Sequence, residues 1–240
     1  MSESPTNNEE LDELVDEMID AGETLPDSVR EGLVEAGDEA TDRLVEVALD
    51  GELSRLDARG EGFGPIHAAG VLADRGDEAA IEPLIELLQR PAVDDFLSGA
   101  VIDALGEFGE RALEEILEAA DEAEDGEVRG RLLEAAMTTG LEREAIYDRL
   151  VDLLEVEAAY AAQLLGEYGD DRAIEPLQGL LDEVSIKSSK RLFANHEILE
   201  TAEAIEALGG DFTRKQRRKI AYARRKQREA GSRLSRRLKG

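Results

Sequence analysis

The chain has 240 residues, 42% hydrophobic but only 4% aromatic, with neither Trp nor Cys. That length holds one or two ordinary domains or a single repeat stack; the lack of cysteine excludes disulfide frameworks and thiolate metal sites. Acidic residues number 57 against 28 basic ones, a formal net charge of −29. The charge is unevenly placed: residues 1–210 carry 55 acidic and 15 basic side chains, whereas residues 211–240 carry 2 and 13. So sharp a reversal of sign marks a change of role along the chain.

Residues 1–10 are polar and acidic, without the basic and apolar regions of a signal peptide, and are expected to be disordered. No apolar run approaches membrane-spanning length, so the expected location is cytoplasmic, with no membrane partner. Leu11, Leu14, Val15, Met18 and Ile19 recur at helical spacing up to Gly22 and predict a helix capping the exposed end of a stack. Residues 26–49 predict a helix pair: Val29 and Leu33 face inward, Gly37-Asp38 turns the chain, and Leu44, Val45, Ala48 and Leu49 form the second stripe. The Gly-rich link 57–65 lacks the Gly-x4-Gly-Lys-Ser/Thr pattern, carries Glu61 and follows a helix. It is therefore expected to be a flexible loop with Phe63 on the core, not a phosphate cradle.

A second pair spans 66–90, with Val71 and Leu72, a turn at Gly76-Asp77, then Ile81, Leu84, Ile85 and Leu88. The third uses Val101, Ile102, Leu105 and Phe108 before Gly109, then Leu113, Ile116 and Leu117. A fourth runs through Leu132, Leu133, Ala136 and Met137 to Gly140, then Ile146, Leu150, Val151, Leu153 and Leu154. The fifth is 158–182, and a last helix holds Ile198, Ala202, Ile205 and Leu208, closed by Gly209-Gly210. Turn glycines at 37, 76, 109, 140, 169 and 209 lie 39, 33, 31, 29 and 40 residues apart. A period of this size, two helices per unit, indicates stacked repeats that bury each other's apolar faces.

The string Leu-Gly-x2-Gly-Asp-x2-Ala-Ile-x-Pro-Leu-x2-Leu-Leu, clearest at 164–181 and 72–88, resembles the HEAT repeat, in particular the short HEAT-like repeats of phycobilin lyases. The resemblance covers about residues 25–210 and fades in the fourth unit, where Met137-Thr-Thr-Gly140 replaces the usual end. It implies an all-α solenoid of about five helix pairs over 11–210, with an N-terminal capping helix and a basic, partly helical C-terminal tail over 211–240. Such repeats serve scaffolds, adaptors and a few lyases alike, so the fold is better specified than the function. With six Lys beside 22 Arg, the acid-rich composition also resembles that of halophilic archaeal proteins, for which the Debye length falls to about 3 Å at molar salt. Charge that serves only solubility is the plainer reading.

Catalytic groups are sparse. His67 and His196 are the only histidines and lie far apart in the repeat order; Ser185, Ser188 and Ser189 have no evident base. The clusters 121–125 and 170–171 lack a calcium-loop pattern. No catalytic residue, metal or cofactor is therefore expected. The resemblance implies that second helices line a concave side, where Glu78, Glu82, Glu86, Glu114, Glu115, Glu118, Glu175 and Asp182 would form an acidic ridge. That ridge is either a solvated face or a groove for a basic protein partner.

The tail is the most telling functional stretch. Thr213 and Gln216 have capping-box spacing, and a helix is expected from Arg214 to about Ala230, ending at Gly231. Ile220 and Tyr222 offer it almost no apolar face, so it should be mobile until a polyanion neutralises it. Candidate nucleic-acid contacts are Arg214, Lys215, Arg217, Arg218, Lys219 and Arg224, followed by Arg225, Lys226, Arg228, Arg233, Arg236 and Arg237. Lys187, Lys190 and Arg191 would extend the patch. Guanidinium forks bind phosphate with paired hydrogen bonds and stack on bases, which favours RNA, ribosomal RNA included, over duplex DNA. Three readings stand at this point: a scaffold that holds a protein and contacts RNA through its tail, a pure protein scaffold whose tail docks on its own acidic face, and a phycobilin-lyase-like cofactor-handling enzyme.

Overall fold

The computed structural model describes residues 8–91, 93–141, 144–184 and 191–237, with backbone alone at 191–193 and 230–237. Thirteen α-helices and three 3-10 turns are the only regular elements among the described residues, an all-α solenoid class of fold. The chain divides into two compact units, 1–142 and 143–240, and the division falls just after the turn of the fourth predicted pair.

The first unit holds α1 (Asn8–Asp20), α2 (Asp27–Glu35), α3 (Glu39–Leu49), α4 (Gly64–Arg75), α5 (Ile81–Gln89), α6 (Asp95–Phe108), α7 (Glu110–Glu122) and α8 (Gly126–Thr138). Helix α1 buries Leu11, Val15, Met18 and Ile19 and packs on α2, α3 and α4, as a cap should. It begins at Asn8, so residues 8–10 are helical and not disordered; residues 1–7 lie outside the described part. First helices α2, α4, α6 and α8 pack in succession, and second helices α3, α5 and α7 form the other layer. The core is Leu, Ile, Val and Ala almost throughout, with Leu33, Leu44, Leu72, Leu84, Leu105 and Leu132 fully buried. Small residues let successive first helices approach: a Cβ on Gly106 of α6 would lie 2.6 Å from Thr138 Oγ1 of α8.

Residues 59–62 correct the expectation of a flexible loop. They form a 3-10 turn in which Gly60 and Glu61 are both left-handed. A side chain at Gly60 would lie 1.9 Å from the Ile19 carbonyl oxygen, so the link is pressed onto the end of α1. Arg59 fastens it there, donating to Asp16 at 3.0 Å and to Asp20 at 2.8 Å, and holds the Asp20 carboxyl below its usual pKa. Phe63 is half-buried and stacks on His67, whose Nε2 meets the Gly22 carbonyl at 2.6 Å.

The second unit holds α9 (Glu144–Leu153), α10 (Ala158–Tyr168), α11 (Ile174–Glu183), α12 (Arg191–Ala207) and α13 (Arg214–Arg237). Helix α12 packs on α10 and α11, and α13 packs on α12. The near-identical motifs at 76–88 and 169–181 build one local device in both units. Gly76 (φ 63°) and Gly169 (φ 82°) end a helix in the left-handed region. Asp77 and Asp170 then accept from the backbone N–H of Ala79 and Arg172, opening a 3-10 turn into α5 or α11. Asp77 also accepts from Thr41 Oγ1 at 2.8 Å, tying its pair to the one before.

A second device joins successive pairs in the first unit. The last carbonyls of a helix lack intrahelical partners and carry partial negative charge. Arg75 donates to the carbonyls of Leu33, Val34, Ala36 and Gly37 at the end of α2. Arg90 reaches Leu49 at the end of α3, Arg111 reaches Gly76 beyond α4, and Arg129 reaches Ala120 and Ala123 at the end of α7. In a chain with so few cations, these arginines are spent on helix ends.

Candidate polyanion-binding face

Helix α13 is built like the second helix of a sixth pair. Its capping box forms as the spacing predicts: Thr213 Oγ1 accepts from Gln216 N–H at 3.3 Å, and Gln216 Oε1 accepts from Thr213 N–H at 2.9 Å. It runs on to Arg237, past Gly231, where the sequence predicts an end. Gln216, Lys219, Ile220 and Ala223 are buried, a stripe at i, i+3, i+4 and i+7 that is half polar. The expectation of almost no apolar face, with Ile220 and Tyr222 alone, is thus corrected: the inner face uses Ile220 with Ala223, Gln216 and Lys219. Gln216 donates to the Gln178 carbonyl at 3.4 Å, and Gln178 donates to the Asp211 carbonyl at 2.7 Å.

Lys219 is also corrected. Expected among the nucleic-acid contacts, it points inward, 8% exposed, and donates to the carbonyls of Leu181, Asp182 and Val184 at 2.5, 3.2 and 2.6 Å. It thereby closes the end of α11 as the arginines of the first unit close theirs. Burial pushes its pKa down, Lys215 adds to that, and Asp182 and Glu197 pull the other way. Burial raises the carboxyl of Glu197, with Lys219 opposing.

The other described cations of α13 face outward. Lys215 pairs with Asp182 at 3.3 Å and Arg224 with Glu206 at 3.1 Å. Lys226 and Arg225 reach Glu229 at 2.9 and 3.8 Å. Arg214, Arg217, Arg218 and Arg228 are exposed and make no hydrogen bond or ion pair among the described residues. A shallow groove is lined by Arg214, Lys215, Arg218, Lys219 and Tyr222. Beyond it, the Arg225 guanidinium lies 5.2 Å and the Lys226 ammonium 5.8 Å from the centre of the Tyr222 ring. The side chains of Arg233, Arg236 and Arg237, those of Lys187 and Lys190, and that of Arg191 lie outside the described part, as do Ser185, Ser188 and Ser189.

The predicted acidic positions are all exposed, but the units hold them separately. Glu78 precedes α5, Glu82 and Glu86 lie on it, and Glu114, Glu115 and Glu118 lie on α7 in the first unit; Glu175 and Asp182 lie on α11 in the second. Glu78 is 3.7 Å from Arg111 and Glu86 3.8 Å from Arg90. An acidic cleft between α1 and α3, lined by Asp12, Asp16, Glu46 and Asp50, is bridged by Arg43, which pairs with Asp12 and Glu46 at 2.9 Å. No group of His, Asp and Glu among the described residues could hold a metal ion. His196 is exposed on α12, 3.3 Å from Glu200. Among the described residues, no helix is long and apolar enough to cross a membrane.

Sequence reasoning missed Gln178, Asp211 and Glu206, which dock α13, and read Tyr222 only as part of a scant apolar face. The available signal was Gly209, left-handed at φ 77° and in step with the five earlier turn glycines. Residues 65–137 match the family model for HEAT repeats, and residues 158–183 match that for the PBS lyase HEAT-like repeat. A search of curated proteins finds no match.

Proposed function

We propose that this chain, whose residues 65–137 and 158–183 match HEAT-repeat models, is a non-enzymatic scaffold that binds a protein on its repeats and RNA on the outer face of α13. The observation that carries the RNA reading is the contrast between arginines. In the first unit they close helix ends or pair with carboxylates, whereas Arg214, Arg217, Arg218 and Arg228 stand exposed without partners among the described residues. A row of guanidinium groups on the outer side of one helix suits phosphates, which it can hold by paired hydrogen bonds. The acid-rich remainder suits a halophile's salt, in which bulk attraction is screened and direct contacts count. The exposed glutamates of α5 and α7 offer the complementary face to a basic protein segment.

The reading in which α13 docks on its own acidic face draws support from Lys215–Asp182 and Arg224–Glu206. Those pairs flank the buried stripe on its two sides and leave the four arginines outward. Fluorescence anisotropy with labelled RNA across a KCl series tests the proposal. The pair Arg217→Glu and Arg228→Glu should weaken binding and flatten its salt dependence, by about 0.7 in log–log slope for each phosphate that is no longer neutralised. Unchanged affinity in that variant would remove the RNA reading and leave the protein scaffold.

A further inference from the structure

We propose that Arg214, Arg218 and Tyr222 form a subsite for an unpaired nucleotide, with phosphate on the arginines and the base against the tyrosine ring, so that α13 selects single-stranded RNA over duplex. This rests on the RNA reading above and narrows it.

The three residues are spaced four apart and lie on one stripe of α13, each about 6 Å along the axis from the next. They line one groove with the stem of Lys219, whose ammonium is turned inward onto carbonyls. The groove therefore has two unpaired guanidinium groups at one end and an aromatic ring at the other. Tyr222 is only half-buried, and the contacts at its ring are those of Arg225 and Lys226, so a core role does not account for it. Arg225 and Lys226 add positive charge beside the ring, shared with Glu229 on the same helix.

Stacking on an aromatic ring needs a base face that is free. A duplex keeps its base faces covered, and the deep, narrow major groove of A-form RNA does not admit side chains. An unpaired strand can use both the cations and the ring, which is how sequence-tolerant single-strand binding works in general.

The test compares three probes on the full chain: a short oligouridylate, an RNA hairpin stem of similar charge, and inorganic polyphosphate, which has charge but no base. Tyr222→Leu keeps the side chain apolar without a ring, and Tyr222→Phe keeps the ring. The expected result is that Tyr222→Leu loses about tenfold in affinity for oligouridylate and nothing for polyphosphate, while Tyr222→Phe binds both as the parent does. Equal parent affinity for oligouridylate and the hairpin would overturn the subsite. So would an equal loss of oligouridylate and polyphosphate binding in Tyr222→Leu, which marks the ring as structural. If Arg217→Glu with Arg228→Glu still weakens binding in either case, RNA binding stands without the subsite. Failure of the parent chain to bind any probe would remove both.

Discussion

Replacing Lys219 by Met should loosen α13 from the second unit while leaving its buried apolar packing in place. The Met side chain is close to the lysine stem in length and fills the same site between α11 and α13. What it removes is the ammonium shared by the carbonyls of Leu181, Asp182 and Val184. A hydrogen bond from a charged donor contributes about 1.5–3 kcal/mol, and three bonds from one nitrogen do not add. Swapping a whole buried ionic set for apolar groups is often harmless, but here only the cation goes and the carbonyls stay. Relief of the lysine's own burial, which already lowers its pKa, offsets part of the loss. The net effect is a loss of about 2 kcal/mol in docking, hence a roughly 30-fold larger population of undocked helix. Limited trypsin digestion reads this directly, because α13 is dense in cleavage sites that docking protects. Cleavage within 214–228 should accelerate by that factor, with earlier sites in the chain unaffected. Equal cleavage of parent and variant would refute the view that Lys219 is a helix-end clamp.

Three further predictions follow from titrations and packing. Burial raises the pKa of Glu197 above its ordinary 4.5, so its contribution to stability falls as pH rises from that value through the higher folded one. Glu197→Gln should therefore raise the urea midpoint at neutral pH, with the gain vanishing near pH 4. Asp77 is held low by Thr41 first, then by the Ala79 N–H and Arg75. Its stabilisation is present above its ordinary value of 3.8 and is lost as pH falls through its lower folded value, so Asp77→Asn should shallow the acid limb of thermal melts. Gly106→Ala sets a methyl 3.0 Å from the Thr138 carbonyl oxygen and should cost about 1–3 kcal/mol in urea unfolding, whereas Gly99→Ala, with open space around it, should cost nothing.

The repeats were legible because each helix pair carries its own apolar stripe, and two of the pairs write a left-handed glycine and an aspartate cap in adjacent residues. Gly76-Asp77 and Gly169-Asp170 needed no tertiary information. The clamps were not legible, since Arg75, Arg90 and Lys219 act on backbone carbonyls some forty positions away, and any sequence supplies a carbonyl. The inner face of α13 was hidden for a related reason. Its buried stripe is half Gln and Lys, so a search for apolar periodicity passes over it, although Gly209 announces a further pair. Acidic positions on α5 and α7 could be read as exposed, but sequence has no means of saying which ones a cation elsewhere in the chain engages.

Repeat packing explains the position of α13 but not its sign. Second helices α5 and α7 present Glu82, Glu86, Glu114, Glu115 and Glu118 outward, and α13, closing a pair in the same manner, presents arginine instead. Docking does not require this: Gln216, Lys219, Ile220 and Ala223 do the packing, and Lys215 and Arg224 make the outer pairs. Among described residues 8–184, each arginine whose side chain is described has a carbonyl or carboxylate partner. A surplus of unpaired cations on a chain of net charge −29 is therefore not a shortage of acceptors. It is a surface kept free of them, in an orientation set by the helix beneath. If that surface is for an external polyanion, reversing Arg217 and Arg228 to Glu will leave the urea midpoint within about 0.5 kcal/mol of the parent, as expected of exposed positions, while RNA binding falls. A clear loss of stability in that variant would mean that the arginines serve the fold after all.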